Sequence, residues 1–138
     1  MKPTILYRVA AALLVLFAVG HQLGFRAVDP AWNAADLARA MQTTPLPVEG
    51  FTRSYWGFYS GFGFFTTVFM LFSAILAWQL ASASTDVRRA LGVSRRAFAA
   101  CYATIAILTW TYFFFTPGVF ATLIAIALTL AVVVPERT

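Results

Sequence analysis

Four long apolar runs dominate this chain of 138 residues, and they leave lipid as the solvent in which it can fold. An α-helix of roughly 20 apolar residues crosses the hydrocarbon core of a bilayer. The first run covers about Ile5 to Phe25, broken by Arg8 near its start and by Gly20-His21-Gln22-Leu23-Gly24 near its end. The second begins near Arg53 and continues to about Ser82. It exceeds one crossing, so it should tilt or project beyond the membrane. The third covers about Ala97 to Phe115 and the fourth about Val119 to Val134, with Thr116-Pro117-Gly118 placed to turn tightly between them. Only 11% of residues are charged and 61% are hydrophobic, against roughly 25% charged in soluble domains. A water-soluble domain of this length has no interior large enough for that apolar surface. The expected fold is all-α: an integral membrane four-helix bundle forming a single transmembrane domain over residues 1–138. Lys2, the apolar stretch and the small residues Ala18 and Gly20 imitate a secretory signal. We read the segment as a membrane helix.

The net charge of +5 invites a nucleic-acid reading. The basic residues instead flank the apolar runs, where the positive-inside rule accounts for them. No basic patch with interleaved aromatics sits on a soluble module, so no nucleic-acid partner is expected. Lys2, Arg8, Arg88, Arg89, Arg95, Arg96 and Arg137 fall on one side of the four-span arrangement; Arg26, Arg39 and Arg53 fall on the other. That asymmetry predicts a multi-pass protein of a bacterial inner membrane with both termini cytoplasmic and the 26–53 connection outside.

The 26–53 connection has its own signals. Asp29-Pro30 reads as a helix start, with Asp as N-cap and Pro at the first helical position. Ala34, Leu37, Ala38 and Met41 share one face, and Asp36 and Arg39 take the other. The pattern predicts a short extracytoplasmic amphipathic helix over 30–43, between spans one and two. It is either a connector resting on headgroups or a lid over a pocket. Pro45 and Pro47 end it.

His21 is the only histidine, and no carboxylate lies inside any run. An ionisable side chain within a span is a functional-site hypothesis by default. Gly20 and Gly24, and again Gly57 and Gly61, form GxxxG motifs, which let helix backbones approach closely in lipid. Packing through both would set His21 near Tyr59 and Ser60. Along the second span Thr52, Trp56, Tyr59, Gly63, Thr66, Met70 and Ser73 recur at helical spacing, with Phe on the other faces. The third offers Tyr102, Ile105, Thr109, Tyr112 and Thr116. The fourth, with only Thr122 and Thr129, reads as a lipid-facing wall. Trp110 and Tyr55 fit an interfacial aromatic belt.

Assembling the outer end gives a candidate site. His21, Glu49 and Tyr59 are the candidate catalytic residues: an acid/base, a carboxylate to orient it and a proton donor. Gln22, Arg26, Arg53, Trp56, Ser60, Tyr112 and Thr116 are the candidate ligand-binding residues. The set suits isomerisation, cyclisation, epoxide opening or hydrolysis of an apolar molecule. A structural hydrogen bond across helices is the competing role for His21. One His without neighbouring carboxylates builds no transition-metal site. Haem ligation by His21 from two copies, or by His21 with Met41, has no support in the spacing. No metal or cofactor is expected. Cys101, the single cysteine, forms no internal disulfide and reads as a small buried hydrophobe.

Gly20-His21-Gln22-Leu23-Gly24, with Arg53-Ser54-Tyr55-Trp56-Gly57-Phe58-Tyr59 and Gly61-Phe62-Gly63 downstream, resembles small four-helix bacterial inner-membrane proteins over nearly the whole chain. The resemblance implies the fold and carries no catalytic role. The expected function is a membrane-embedded enzyme or binding protein for a hydrophobic small molecule, such as an isoprenoid, a sterol-like compound or a lipid. Its partners would be membrane lipid, that ligand, and a second copy or another membrane helix. The alternatives are a non-catalytic assembly subunit packing through its GxxxG faces, or a small oligomeric transporter. The transporter reading is weakened by the lack of an intramembrane carboxylate.

Overall fold

The computed structural model describes residues 2–135. Arg137, counted above with the basic end, and Glu136 lie outside the described residues. The chain is mostly helical: α1 (Pro3–Gly24), a 3-10 turn (Pro30–Trp32), α2 (Ala35–Thr43), strands β1 (Pro45–Val48) and β2 (Phe51–Ser54), α3 (Tyr55–Ser82), α4 (Thr85–Ala90), α5 (Gly92–Tyr112) and α6 (Phe115–Val133). Three helices are long and apolar enough to cross a membrane: α1, α3 and α6. The predicted third span differs. Arg95 and Arg96 lie in the first turns of α5, and only 97–112 is free of charge, about 24 Å of helix.

Two compact units divide the chain, Met1–Phe17 with Met70–Thr138, and Ala18–Phe69. The first has an alanine-rich core. Ala10, Ala74, Ala77, Ala121 and Ala131 interleave with Leu6, Tyr7, Leu14, Tyr102, Ile124 and Leu128. Small side chains let helices approach closely where lipid removes the usual hydrophobic drive. Other large apolar residues point outward: Phe72, Ile75, Ile107, Ile126 and Val133 are all exposed. An outer surface of this kind suits a chain solvated by lipid.

One end of this unit is held by two buried arginines. Arg88 donates to the carbonyls of Leu80 (3.3 Å) and Ala83, at the C-terminus of α3. Arg95 donates to Tyr7 Oη (2.8 Å), to the Arg88 carbonyl (3.1 Å) and to the Ala131 carbonyl (2.7 Å) in the last turn of α6. The last carbonyls of a helix lack intrahelical donors and carry the negative end of its dipole. A guanidinium answers both. At the other end Trp110 of α5 donates its indole N–H to Thr122 Oγ1 of α6 at 2.9 Å. The indole lies over Gly118, where a Cβ would come within 2.8 Å of it. Trp110, expected in an interfacial aromatic belt, thus makes an interhelical contact.

Several expectations are corrected. Thr116-Pro117-Gly118 is not the turn; it lies in the first turn of α6, and Phe113-Phe114 makes the connection. Proline is tolerated there because the first N–H groups of a helix need no intrahelical acceptor. α6, read as a lipid-facing wall, also packs inside this unit: its Gly118, Ala121, Ile124, Ala125, Ala127, Leu128 and Ala131 are buried, while Leu123, Ile126, Leu130 and Val133 are exposed. Its packing runs on small residues rather than polar ones. Cys101 is exposed. The 84–96 segment holds α4 and the start of α5 rather than a loop, with Ser84 Oγ capping α4.

The second unit departs from an all-α reading. Asp29 does cap, accepting from the Ala31 N–H at 2.8 Å. The helix expected over 30–43 is split, because Asn33 takes a left-handed conformation (φ 52°) between the 3-10 turn and α2. After α2 the chain forms a hairpin, and Arg53, expected to open the second span, lies in β2. Pro45 and Pro47 exclude helix. They pair with Ser54 and Thr52, alternate positions where the missing N–H would point away from β2. Glu49 (φ 49°) and Gly50 (φ 82°) form the two-residue turn, the left-handed pair that matches strand twist.

Candidate functional site

Two features occupy the second unit. The first is a polar and aromatic knot between the end of α1 and the middle of α3. His21 Nδ1 lies 3.0 Å from Thr67 Oγ1. The Thr67 hydroxyl carries one hydrogen, which it directs to Gln22 Oε1 or to the Gly63 carbonyl, each at 3.2 Å. With that hydrogen so used, Thr67 Oγ1 is left to accept from His21 Nδ1. The imidazole stacks on Phe25, centroids 4.9 Å apart and planes 6° apart. Phe25 in turn meets the edge of Phe64 and covers Gly63, where a Cβ would fall 2.2 Å from the ring. Tyr59 donates its hydroxyl to the Phe25 carbonyl. Arg26 lies over the Phe25 and Phe64 rings at 5.4 and 5.2 Å.

The second feature is an open groove of about 470 Å³ between the hairpin and the first turns of α3. Phe51 and Val48 form the hairpin side. Phe58, Phe62 and Phe65 form the helix side. Gly57 and Gly61 are part of the lining, and their missing side chains leave the space open: nothing lies within 4 Å of a Cβ at Gly61, and only Ser54 Oγ, at 3.6 Å, near one at Gly57. Two charged groups, Glu49 at the hairpin tip and Arg53 on β2, also line the groove. Arg53 Nη1 donates to the Thr52 carbonyl at 3.1 Å, and its guanidinium stands 5.3 Å from the Phe51 centroid. Among the described residues no carboxylate pairs with Arg53 and no cation pairs with Glu49.

The expected site residues therefore divide. His21, Gln22, Arg26 and Tyr59 gather in the knot. Glu49 and Arg53 gather at the groove. Trp56 leans on Tyr59 at 5.5 Å, and Ser60 Oγ is buried without a hydrogen-bond partner among the described residues. Tyr112 and Thr116 belong to the other unit and are exposed. The GxxxG motifs do not bring helices together: Gly20, Gly24 and Gly61 face open space, and the close approach falls at Gly63. Thr67 escaped the sequence reading, which chose its exposed neighbour Thr66. The buried positions of α3 are Gly63, Met70, Ser73, Ala74, Ala77 and Ala81, with Thr67 half-buried among them. The run of alanines at 74, 77 and 81 was the available signal.

Among the described residues no group of three or more His, Cys, Asp or Glu is placed to hold a metal ion. No family model, curated protein or solved structure matches this chain.

Proposed function

We propose that this chain is a membrane-embedded binding protein for a hydrophobic small molecule with a polar end, seated in the groove between the hairpin and α3. One observation carries the reading. Phe58, Phe62 and Phe65, on a helix apolar enough to span a membrane, share an open groove with Glu49 and Arg53. Sites for small molecules combine apolar walls with a few placed polar groups, and this groove has both. Acid/base catalysis by His21 draws less support. Neither His21 nor Tyr59 lines the groove, and Glu49 is not a hydrogen-bond partner of His21. The 3.0 Å contact with Thr67 supports the competing role for His21, a hydrogen bond across helices.

The proposed setting is a bundle of four membrane helices in a bacterial inner membrane, with α5 as the remaining crossing. The carbonyl and hydroxyl partners of Arg95 make its burial in such a crossing tolerable. Both termini would then be cytoplasmic, in keeping with the excess of basic residues at that end.

A second reading has its own observation. Gly20 and Gly24 are exposed with open space around them, as an assembly subunit docking a partner helix would require.

Mass spectrometry of the small molecules and proteins retained on gentle purification tests both, with wild type beside Gly61→Leu and His21→Ala. A defined hydrophobic compound present in wild type and His21→Ala, and depleted in Gly61→Leu, is the expected result. Depletion in His21→Ala alone would move the site to the knot. Bulk lipid equal in all three, with a membrane protein co-purifying, would favour the assembly subunit.

A further inference from the structure

We infer that the groove selects a zwitterionic aminophospholipid, with the lipid phosphate on Arg53, its ammonium on Glu49 and one acyl chain laid along α3. The inference rests on the groove reading above and adds the class of headgroup. Glu49 and Arg53 are opposite charges on one groove, both exposed, and neither is neutralised by a protein partner among the described residues. An isolated cation would call for an anionic ligand. A cation and an anion on one groove call for a ligand that carries both signs.

The axial order agrees. The charges stand on the hairpin, immediately before α3, and the aromatic walls follow within α3. From Gly57 to Phe65 the helix rises about 12 Å, a length for an acyl chain to descend while the headgroup stays with the hairpin. Gly61 leaves room in the groove, with nothing within 4 Å of a Cβ there, and a large side chain at that position would take up the space. Arg53 suits a phosphate because its fork donates two parallel hydrogen bonds. Glu49 suits a primary ammonium, which donates up to three hydrogen bonds. A trimethylammonium has the same charge and donates none. Phosphatidylethanolamine and phosphatidylcholine therefore share the phosphate and differ at Glu49.

The test uses the full chain in detergent, given equimolar phosphatidylethanolamine, phosphatidylcholine and phosphatidylglycerol of matched acyl chains, with retained lipid read by native mass spectrometry. The expected result is about tenfold enrichment of phosphatidylethanolamine over both others, the order expected of one charge-assisted hydrogen bond. Glu49→Gln should erase the advantage over phosphatidylcholine while lipid is still retained. Arg53→Gln should lower retention of all three. Equal retention of the ethanolamine and choline lipids by wild type, or phosphatidylglycerol retained best, overturns the headgroup assignment while the groove reading survives, provided Gly61→Leu empties it. Unchanged retention and preference in Gly61→Leu overturns the groove itself. Both hairpin substitutions lie at exposed positions outside the alanine-rich core, so they test binding rather than folding.

Discussion

His21 Nδ1 and Thr67 Oγ1 stand 3.0 Å apart and tie the last turns of α1 to the middle of α3. The Thr67 hydroxyl also has its one hydrogen to give to Gln22 Oε1 or to the Gly63 carbonyl, so its loss touches more than one group. Thr67→Val keeps the shape and removes the hydroxyl. It should cost about 1 kcal/mol, the usual scale for a hydrogen bond between helices in lipid. Thr67→Ser should recover most of it. Thermal unfolding in detergent measures the difference, and an unaltered valine variant would show that the bond contributes nothing.

Two glycines of α3, two residues apart, should respond oppositely to alanine. At Gly63 the new methyl would fall 2.2 Å from the Phe25 ring, while at Gly61 it meets open space. Gly63→Ala must displace Phe25 and with it the stack on His21. A cost of about 1–3 kcal/mol is expected. Gly61→Ala should leave stability level or improved, since alanine is the better helix former. Equal losses at both positions would mean that Phe25 does not rest on Gly63.

The α5–α6 hairpin offers a pair for a double-mutant cycle. Gly118→Ala should be destabilising by about 1–3 kcal/mol, because the Trp110 indole lies 2.8 Å from the added carbon. Removing the indole in the same chain, as Gly118→Ala with Trp110→Ala, should make the added methyl nearly neutral. Additive losses in the unfolding free energies would contradict the packing described for this pair.

Arg95 and its acceptors give a prediction about shape rather than charge. Lysine keeps the charge and cannot reach Tyr7 Oη, the Arg88 carbonyl and the Ala131 carbonyl from a single ammonium with the same geometry. Arg95→Lys should therefore lower the unfolding temperature by nearly as much as Arg95→Gln. Full stability in the lysine variant would reduce Arg95 to a simple positive charge.

Both termini are proposed to share one face, which requires α5 to cross. A fluorescent protein that matures only in the cytoplasm, fused after residue 138 and separately within the 84–91 segment, should be bright in both places. A dark C-terminal fusion beside a bright internal one would leave three crossings.

What the sequence revealed followed the range of each physical cause. Apolar length is a sum along the chain, so α1, α3 and α6 could be read from it with their ends a few residues out. The Asp29 cap is a contact two residues long and was equally plain. Hairpin formation at 45–54 turned on Pro45 and Pro47, which were visible as breakers but not as strand signals, and on Gly50, which the sequence reading passed over; the run is too short for period-two alternation. The groove was hidden for another reason. Gly57 and Gly61 pointed to helix packing, because a GxxxG motif says only that space has been left, not what fills it. The identity of the His21 partner depended on helix phase, and a one-residue error separates Thr66, which bonds back to its own helix, from Thr67.

The acceptor on Ala131 lies 36 residues beyond Arg95. During synthesis α5 therefore emerges before the Ala131 carbonyl that its guanidinium will meet has been made, and a basic side chain in a membrane helix is held more easily when backbone carbonyls accept from it. The membrane machinery should meet α5 and α6 as one cargo, held at the channel until both are made. A chain stopped at residue 117 should leave α5 extractable by alkali, while one completed to residue 135 should not.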